Sequence, residues 1–176
     1  ISFMKTINLN LSAALLILIC SFLQLNTIQS QCACSNNQVS NGNFNVNTSG
    51  WTAYNGDLTV SNPYPQCGTP LHAQFRYDIG TFGGFYQDLF SFSPGQLLDL
   101  KFWAGVHNSS PNAQFGFEFY NGTTLISSKT LQVDFILGSS GSGMQYYTIK
   151  AFVPATTNKV RITGFCNGDF LKVDEV

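Results

Sequence analysis

Leu97-Leu98-Asp99-Leu100-Lys101-Phe102-Trp103-Ala104 alternates strictly. Leu98, Leu100, Phe102 and Ala104 fall on one side of an extended chain, and Asp99, Lys101 and Trp103 on the other. Side chains point alternately up and down only in a β-strand, so this segment is a strand with one face in a core and one toward water. Two further stretches repeat the pattern. In Leu71–Asp78 the apolar set is Leu71, Ala73, Phe75 and Tyr77, opposite His72, Gln74, Arg76 and Asp78. In Ala113–Tyr120, Phe115, Phe117 and Phe119 oppose Gln114, Gly116, Glu118 and Tyr120. Phe85–Phe92 has aromatic residues on both faces, and its inward side is not decided by pattern.

Working outward, short segments rich in Phe, Tyr, Val, Ile and Thr recur between Asn-Gly, Pro-Gly and Gly-Ser turns. The predicted strands are 38–44, 51–54, 58–61, 71–77, 85–92, 97–105, 113–120, 124–129, 146–153, 159–165 and 170–176. No helical periodicity of ten residues or more follows the N-terminal segment. Many short strands with regular turns predict an all-β antiparallel sandwich over residues 38–176. Gly138–Gly143 reads as a flexible loop inside that domain, too short for a linker.

The N-terminus differs in kind. Lys5 precedes an uninterrupted, mainly apolar run of eleven residues, Ala13–Leu23, followed by a polar stretch from Gln24 to Ser30. That is the layout of a signal peptide over residues 4–30, and the run is too short to span a bilayer. Ile1–Phe3 read as upstream sequence translated in frame, and the chain ends inside a predicted strand, which leaves continuation past Val176 open. Residues 31–37 form a short cysteine-containing segment before the domain. Removal of the signal takes Lys5 with it and leaves 7 basic against 9 acidic residues, a net charge of −2. So little charge gives no footprint for nucleic acid. No second apolar run predicts a membrane segment after cleavage.

Cys20 leaves with the signal, and Cys32, Cys34, Cys67 and Cys166 remain. An even number in an oxidising compartment predicts disulfides, with three connectivities open. Cys32 and Cys34 are too close in sequence to pair easily, which favours each reaching Cys67 or Cys166. Three sequons, at Asn47, Asn108 and Asn121, lie in turn-like stretches and predict N-glycosylation of a secreted, extracellular protein.

The order of several motifs resembles galactose-binding-like jelly rolls, in particular carbohydrate-binding modules. Asn41-Gly42-Asn43-Phe44 with Gly50-Trp51 is similar to the opening of that family. Tyr86-Gln87-Asp88-Leu89, Ser93-Pro94-Gly95 and Leu98–Ala104 resemble its centre. Phe152-Val153-Pro154-Ala155, Val160-Arg161-Ile162 and Leu171–Val176 resemble its close. The resemblance spans roughly residues 38–176 and implies two antiparallel sheets packed face to face, with Trp51 packed under one end. It also implies a structural calcium near Asn43, Asn45 and Asp174, with Asn45 standing where the family commonly has Glu.

An oligosaccharide site needs an aromatic face for sugar C–H surfaces and hydrogen-bonding side chains for hydroxyls. Trp103, Tyr120, Gln74, Arg76, Gln114 and Glu118 have those types and point outward in the alternation. The same residues also read as an ordinary solvated face, with Trp103 in the core under a loop. Tyr54, Tyr64 and Tyr86 receive no assignment. Catalysis has little support: His72 and His107 are isolated, and there is no nucleophile motif. A glycosidase would need a carboxylate pair such as Glu118 with Asp99 or Asp78. The expected function is therefore a non-catalytic glycan- or polysaccharide-binding module without a cofactor beyond calcium. The rival is a structural component of an extracellular organic matrix, with a small glycoside hydrolase a distant third.

Overall fold

The structure, a computed structural model, describes residues 37–61, 71–77, 82–89, 91–106, 112–134, 143–167 and 170–176. The signal peptide, Cys32, Cys34, Cys67, Asn108, His107, Tyr64 and Asp78 lie outside the described residues. So does most of the Gly-Ser loop.

Ten strands are described: β1 (Thr52–Tyr54), β2 (Gly56–Ser61), β3 (His72–Tyr77), β4 (Gly83–Leu89), β5 (Leu97–Val106), β6 (Gln114–Asn121), β7 (Thr124–Gln132), β8 (Gln145–Phe152), β9 (Lys159–Cys166) and β10 (Phe170–Asp174). They form two five-stranded sheets, ordered β1-β4-β9-β6-β7 (sheet A) and β2-β3-β10-β5-β8 (sheet B). Every pairing is antiparallel. This is the predicted β-sandwich.

Alternation builds the interior. Leu98, Leu100, Phe102 and Ala104 are buried, as are Ala73 and Phe75, and Phe115, Phe117 and Phe119. Phe102 of sheet B meets Phe115 of sheet A at 4.6 Å between ring centroids, and Phe75 meets Phe85 at 5.8 Å. Tilted pairs of this kind add attraction beyond the area they bury. Trp51, 8% exposed, packs on Phe44, Phe85 and Phe115, in the core position expected of it. Phe85 is the inward aromatic of β4, which turns Tyr86 outward.

Turn chemistry sets the strand ends. Ser93-Pro94-Gly95-Gln96 closes with Gln96 N donating to the Ser93 carbonyl at 3.0 Å, and Gly95 has φ +79°. Proline second and a left-handed glycine third is what a type II turn requires. Gly122, φ +61°, opens the two-residue hairpin between β6 and β7.

Residues 38–44 were expected as a strand and are not one. Asn41 and Phe44 have φ of 52° and 46°, left-handed values that no strand accommodates. The segment is a looped strap fixed by Gln87, a buried polar residue of β4. The Gln87 carboxamide accepts from Ser40 N at 2.7 Å and donates to the Ser40 and Gly50 carbonyls at 2.9 and 3.0 Å. Val176 N donates to the Gly42 carbonyl at 3.1 Å, and a side chain on Gly42 would collide with the Val176 oxygen. The last predicted strand ends at Asp174, because Glu175 has φ 51°.

His72 corrects the reading of β3. Alternation puts it on the outer side of sheet B, yet it is fully buried, because alternation reports which side of a sheet a residue is on and not what lies over it. Loss of solvation, and then the Lys172 charge, push its pKa down to about 4. A neutral buried histidine must take up a proton on unfolding near its ordinary 6.5. Stability is therefore full above pH 6.5 and falls as pH drops from 6.5 toward 4. Denaturant midpoints between pH 7 and 5 are expected to decline in the native chain and to flatten in His72→Gln. An unchanged slope in the variant would assign the effect elsewhere. Gln87→Ala removes the three hydrogen bonds that tie the strap to β4 and is expected to cost about 1–3 kcal/mol in equilibrium unfolding.

Candidate functional site

The outer face of sheet A collects the polar and aromatic residues left over from the core. Register fixes who neighbours whom. Arg161 of β9 lies opposite Asp88 of β4 on one side and Glu118 of β6 on the other. One row away, Thr163 pairs with Tyr86, and on the other side Lys159 pairs with Tyr120. Residues paired across antiparallel strands share a face, so these side chains form one continuous surface.

Arg161 is its centre. Its Nε and Nη2 donate to Asp88 Oδ1 and Oδ2 at 2.7 and 3.1 Å. Such two-point, charge-assisted contacts are the stronger class of ion pair. The guanidinium carbon lies 3.3 Å from the Tyr86 ring centroid and 5.5 Å from that of Tyr120. Lys159 Nζ sits 4.3 Å from the Tyr120 centroid. Tyr86, Arg161, Tyr120 and Lys159 thus alternate ring and cation, an arrangement stabilised by attraction between cation and ring. Burial works against the Arg161 charge, but Asp88, with Tyr86 and Tyr120, outweighs it and raises the guanidinium pKa.

The carboxylates and phenols are tied in turn. Tyr120 Oη donates to Glu118 Oε2 at 2.6 Å. Burial, then that hydrogen bond and the Glu118 charge, push the Tyr120 phenol up to about 12. The Tyr54 phenol is also raised, by burial first and by Glu118 next, against a hydrogen bond with Thr163. Tyr54 lies across Gly84, whose missing side chain leaves room: a Cβ there would come within 2.6 Å of the Tyr54 oxygen. The Tyr54 and Tyr86 rings are 6.4 Å apart. Gln114 Oε1 accepts from Thr130 Oγ1 at 2.6 Å. Beside them Phe82, 48% exposed, packs on Phe165 at 4.9 Å.

The face therefore offers exposed ring surface at the Tyr54 and Phe82 end. Acceptors stand at Asp88 and Glu118, and donors at Arg161 and Lys159. Two cations stand against two carboxylates. Dense, charge-balanced donors and acceptors beside aromatic rings suit a polyhydroxylated ligand.

The six sequence-predicted binding residues are divided by the sandwich. Tyr120, Glu118 and Gln114 share the sheet A face. Trp103, Gln74 and Arg76 lie on the outer side of sheet B, with Arg76 5.7 Å from the Phe170 ring. The expected single cluster is thus corrected to two, because alternation separates inside from outside but does not say which sheet a strand joins. The same division separates Glu118 from Asp99, so they form no carboxylate pair. Asp99 instead lies 3.8 Å from both Lys101 and Lys150. Tyr54, Tyr86, Asp88 and Arg161 were missed. The β4 pattern becomes readable only once Gln87 is treated as an inward residue.

Asn47 and Asn121 are exposed, with Asn121 at the β6–β7 hairpin. Cys166 is buried at the end of β9. Asn43 and Asn45 are exposed, whereas Asp174 is fully buried and its Oδ1 accepts from Glu175 N at 3.0 Å. Calcium prefers six to eight oxygens with several carboxylates. One buried carboxylate and two exposed amides do not fit it.

No protein-family model matches the chain, and no curated protein matches it. Solved structures do. The enzymatically active domain of bacteriophage CBA120 tailspike protein 4 aligns with TM-score 0.61 and 18% identity over 79% of this chain, which spans only 20% of that one. A family 16 carbohydrate-binding module aligns with TM-score 0.59 and 11% identity, covering 78% of this chain and 96% of the module. A xylan-binding domain of family 22 aligns with TM-score 0.52 and 15% identity, covering 76% and 88%. At these identities the likeness is one of fold: this chain has the β-sandwich of carbohydrate-binding modules.

A double-mutant cycle with Asp88→Asn and Arg161→Lys tests the centre of the face. Lysine cannot reproduce the two-point contact or the ring stacking. A coupling of about 1–2 kcal/mol is expected in thermal unfolding, above the roughly 0.2–1 kcal/mol of an exposed pair.

Proposed function

We propose that this chain is a secreted, non-catalytic carbohydrate-binding module that holds a glycan on the outer face of sheet A. The observation that carries the reading is Arg161, clasped by Asp88 and set between Tyr86 and Tyr120, with Glu118 in the same cross-strand row. The charged groups are fixed before any ligand arrives, so little side-chain ordering is left to oppose binding. The fold shared with carbohydrate-binding modules agrees with this reading. The signal-like N-terminus and the sequons support secretion.

In this arrangement the chain performs no bond-breaking step. Sugar C–H surfaces rest on the exposed rings of Tyr54 and Phe82. Hydroxyls exchange water for Asp88, Glu118, Arg161 and Gln114. Glu118 is oriented by Tyr120, whose phenol, raised to about 12, keeps its proton well into the alkaline range.

Affinity electrophoresis through gels containing soluble xylan, galactan or glucomannan tests the proposal. Retardation by at least one polysaccharide is expected, weakened about tenfold or more by Tyr86→Ala and by Glu118→Gln while far-UV circular dichroism stays native. Tyr86→Phe is expected to retain most binding. Retardation that survives both losses would contradict the assignment to this face.

A further inference from the structure

Sheet B also carries aromatic side chains that its core does not use. Trp103 of β5 and Tyr146 of β8 are cross-strand partners, with ring centroids 5.7 Å apart at 60°. Their chain neighbours Phe102, Ala104 and Tyr147 fill the interior, so Trp103 and Tyr146 point outward. Tyr146 is 51% exposed and Trp103 half-buried.

A polar strip continues from the pair along the same two strands. Lys101 pairs with Thr148, and Asp99 with Lys150. Asp99 accepts from Thr148 Oγ1 at 3.1 Å and lies 3.8 Å from each lysine ammonium. Single exposed aromatics are ordinary on protein surfaces. A cross-strand aromatic pair beside a strip of hydroxyl, carboxylate and ammonium groups is a different case. The rings offer a surface to sugar C–H groups, and the strip offers donors and acceptors to hydroxyls.

We infer that Trp103 and Tyr146 form a second glycan-contact surface, on the opposite side of the sandwich from Arg161. The inference rests on the glycan-binding reading of sheet A. Two surfaces facing away from one another on a rigid sandwich cannot engage the same stretch of one sugar chain. They engage two chains instead, and the module cross-links polysaccharide. Multivalent attachment then raises retention in a network without any new contact.

The test uses the full chain with xylohexaose and galactotriose in titration calorimetry, and with soluble xylan and galactan in a sedimentation assay. The wild type is expected to take up two oligosaccharides per chain and to pull polysaccharide into the pellet. Trp103→Ala/Tyr146→Ala is expected to bind one and to lose sedimentation, as is Tyr86→Ala from the other side. Trp103→Phe/Tyr146→Phe keeps the rings and is expected to restore both properties. A Trp103→Ala/Tyr146→Ala chain that still binds two and sediments polysaccharide overturns the inference. So does a wild type that binds one oligosaccharide, lost entirely in Tyr86→Ala, although that result leaves the sheet A reading intact. Loss of a dimer in light scattering, with unchanged glycan binding, overturns it in favour of self-association. No binding by the wild type to any of these sugars overturns both readings together.

Discussion

Phe102 and Phe115 meet 4.6 Å apart across the space between the sheets, and that contact settles the orientation of the strands carrying them. Because side chains alternate, committing Phe102 inward sends Trp103 outward, and committing Phe115 inward sends Gln114 outward. The same commitment repeats at Phe75, Phe85, Phe117, Phe119 and Ile162, all buried. A slip of one residue in any of these strands would bury charges and expose rings, so register is tightly held. The outer faces are what this constraint leaves behind.

On sheet A the remainder has become a connected surface. Strand order brings β4, β9 and β6 side by side, although they are far apart in sequence, and register sets Asp88, Arg161 and Glu118 in one row. An arginine that is only 18% exposed in its side chain must recover lost hydration. It does so through two hydrogen bonds to Asp88 and through the Tyr86 ring. The residues that stabilise the guanidinium are thus also those that fix the face in one shape. The Gln87 carboxamide acts in the same strand from the inner side, where it ties the 38–44 strap and Gly50 in place while Tyr86 and Asp88 face out.

The fold was largely legible. Alternation placed Leu98, Leu100, Phe102 and Ala104, Ala73 and Phe75, and Phe115, Phe117 and Phe119 inward, and all are buried; the turn residues Pro94-Gly95 and Asn121-Gly122 marked real strand ends. The exceptions have local causes. Residues 38–44 look strand-like in composition, but left-handed Asn41 and Phe44 break them into a strap. His72 was placed by alternation on a wet face and is buried. The candidate site was only half legible, since periodicity finds the outward residues without pairing the strands. Tyr120 and Glu118 were chosen correctly as outward, yet grouped with Trp103 from the far sheet. Arg161 and Asp88 stand 73 positions apart and meet only once β4 and β9 pair.

Glycan binding on sheet A requires that sugar touch the row around Arg161. Two-dimensional nitrogen–proton spectra of the labelled chain, recorded during titration with xylohexaose or galactotriose, report this directly. The largest shifts are expected at the Arg161 Nε–H and at the backbone amides of Tyr86, Asp88, Glu118 and Thr163. Buried amides such as that of Phe102 should remain still. Saturable shifts confined to the 38–44 strap, with the Arg161 signal unmoved, would contradict binding on this face.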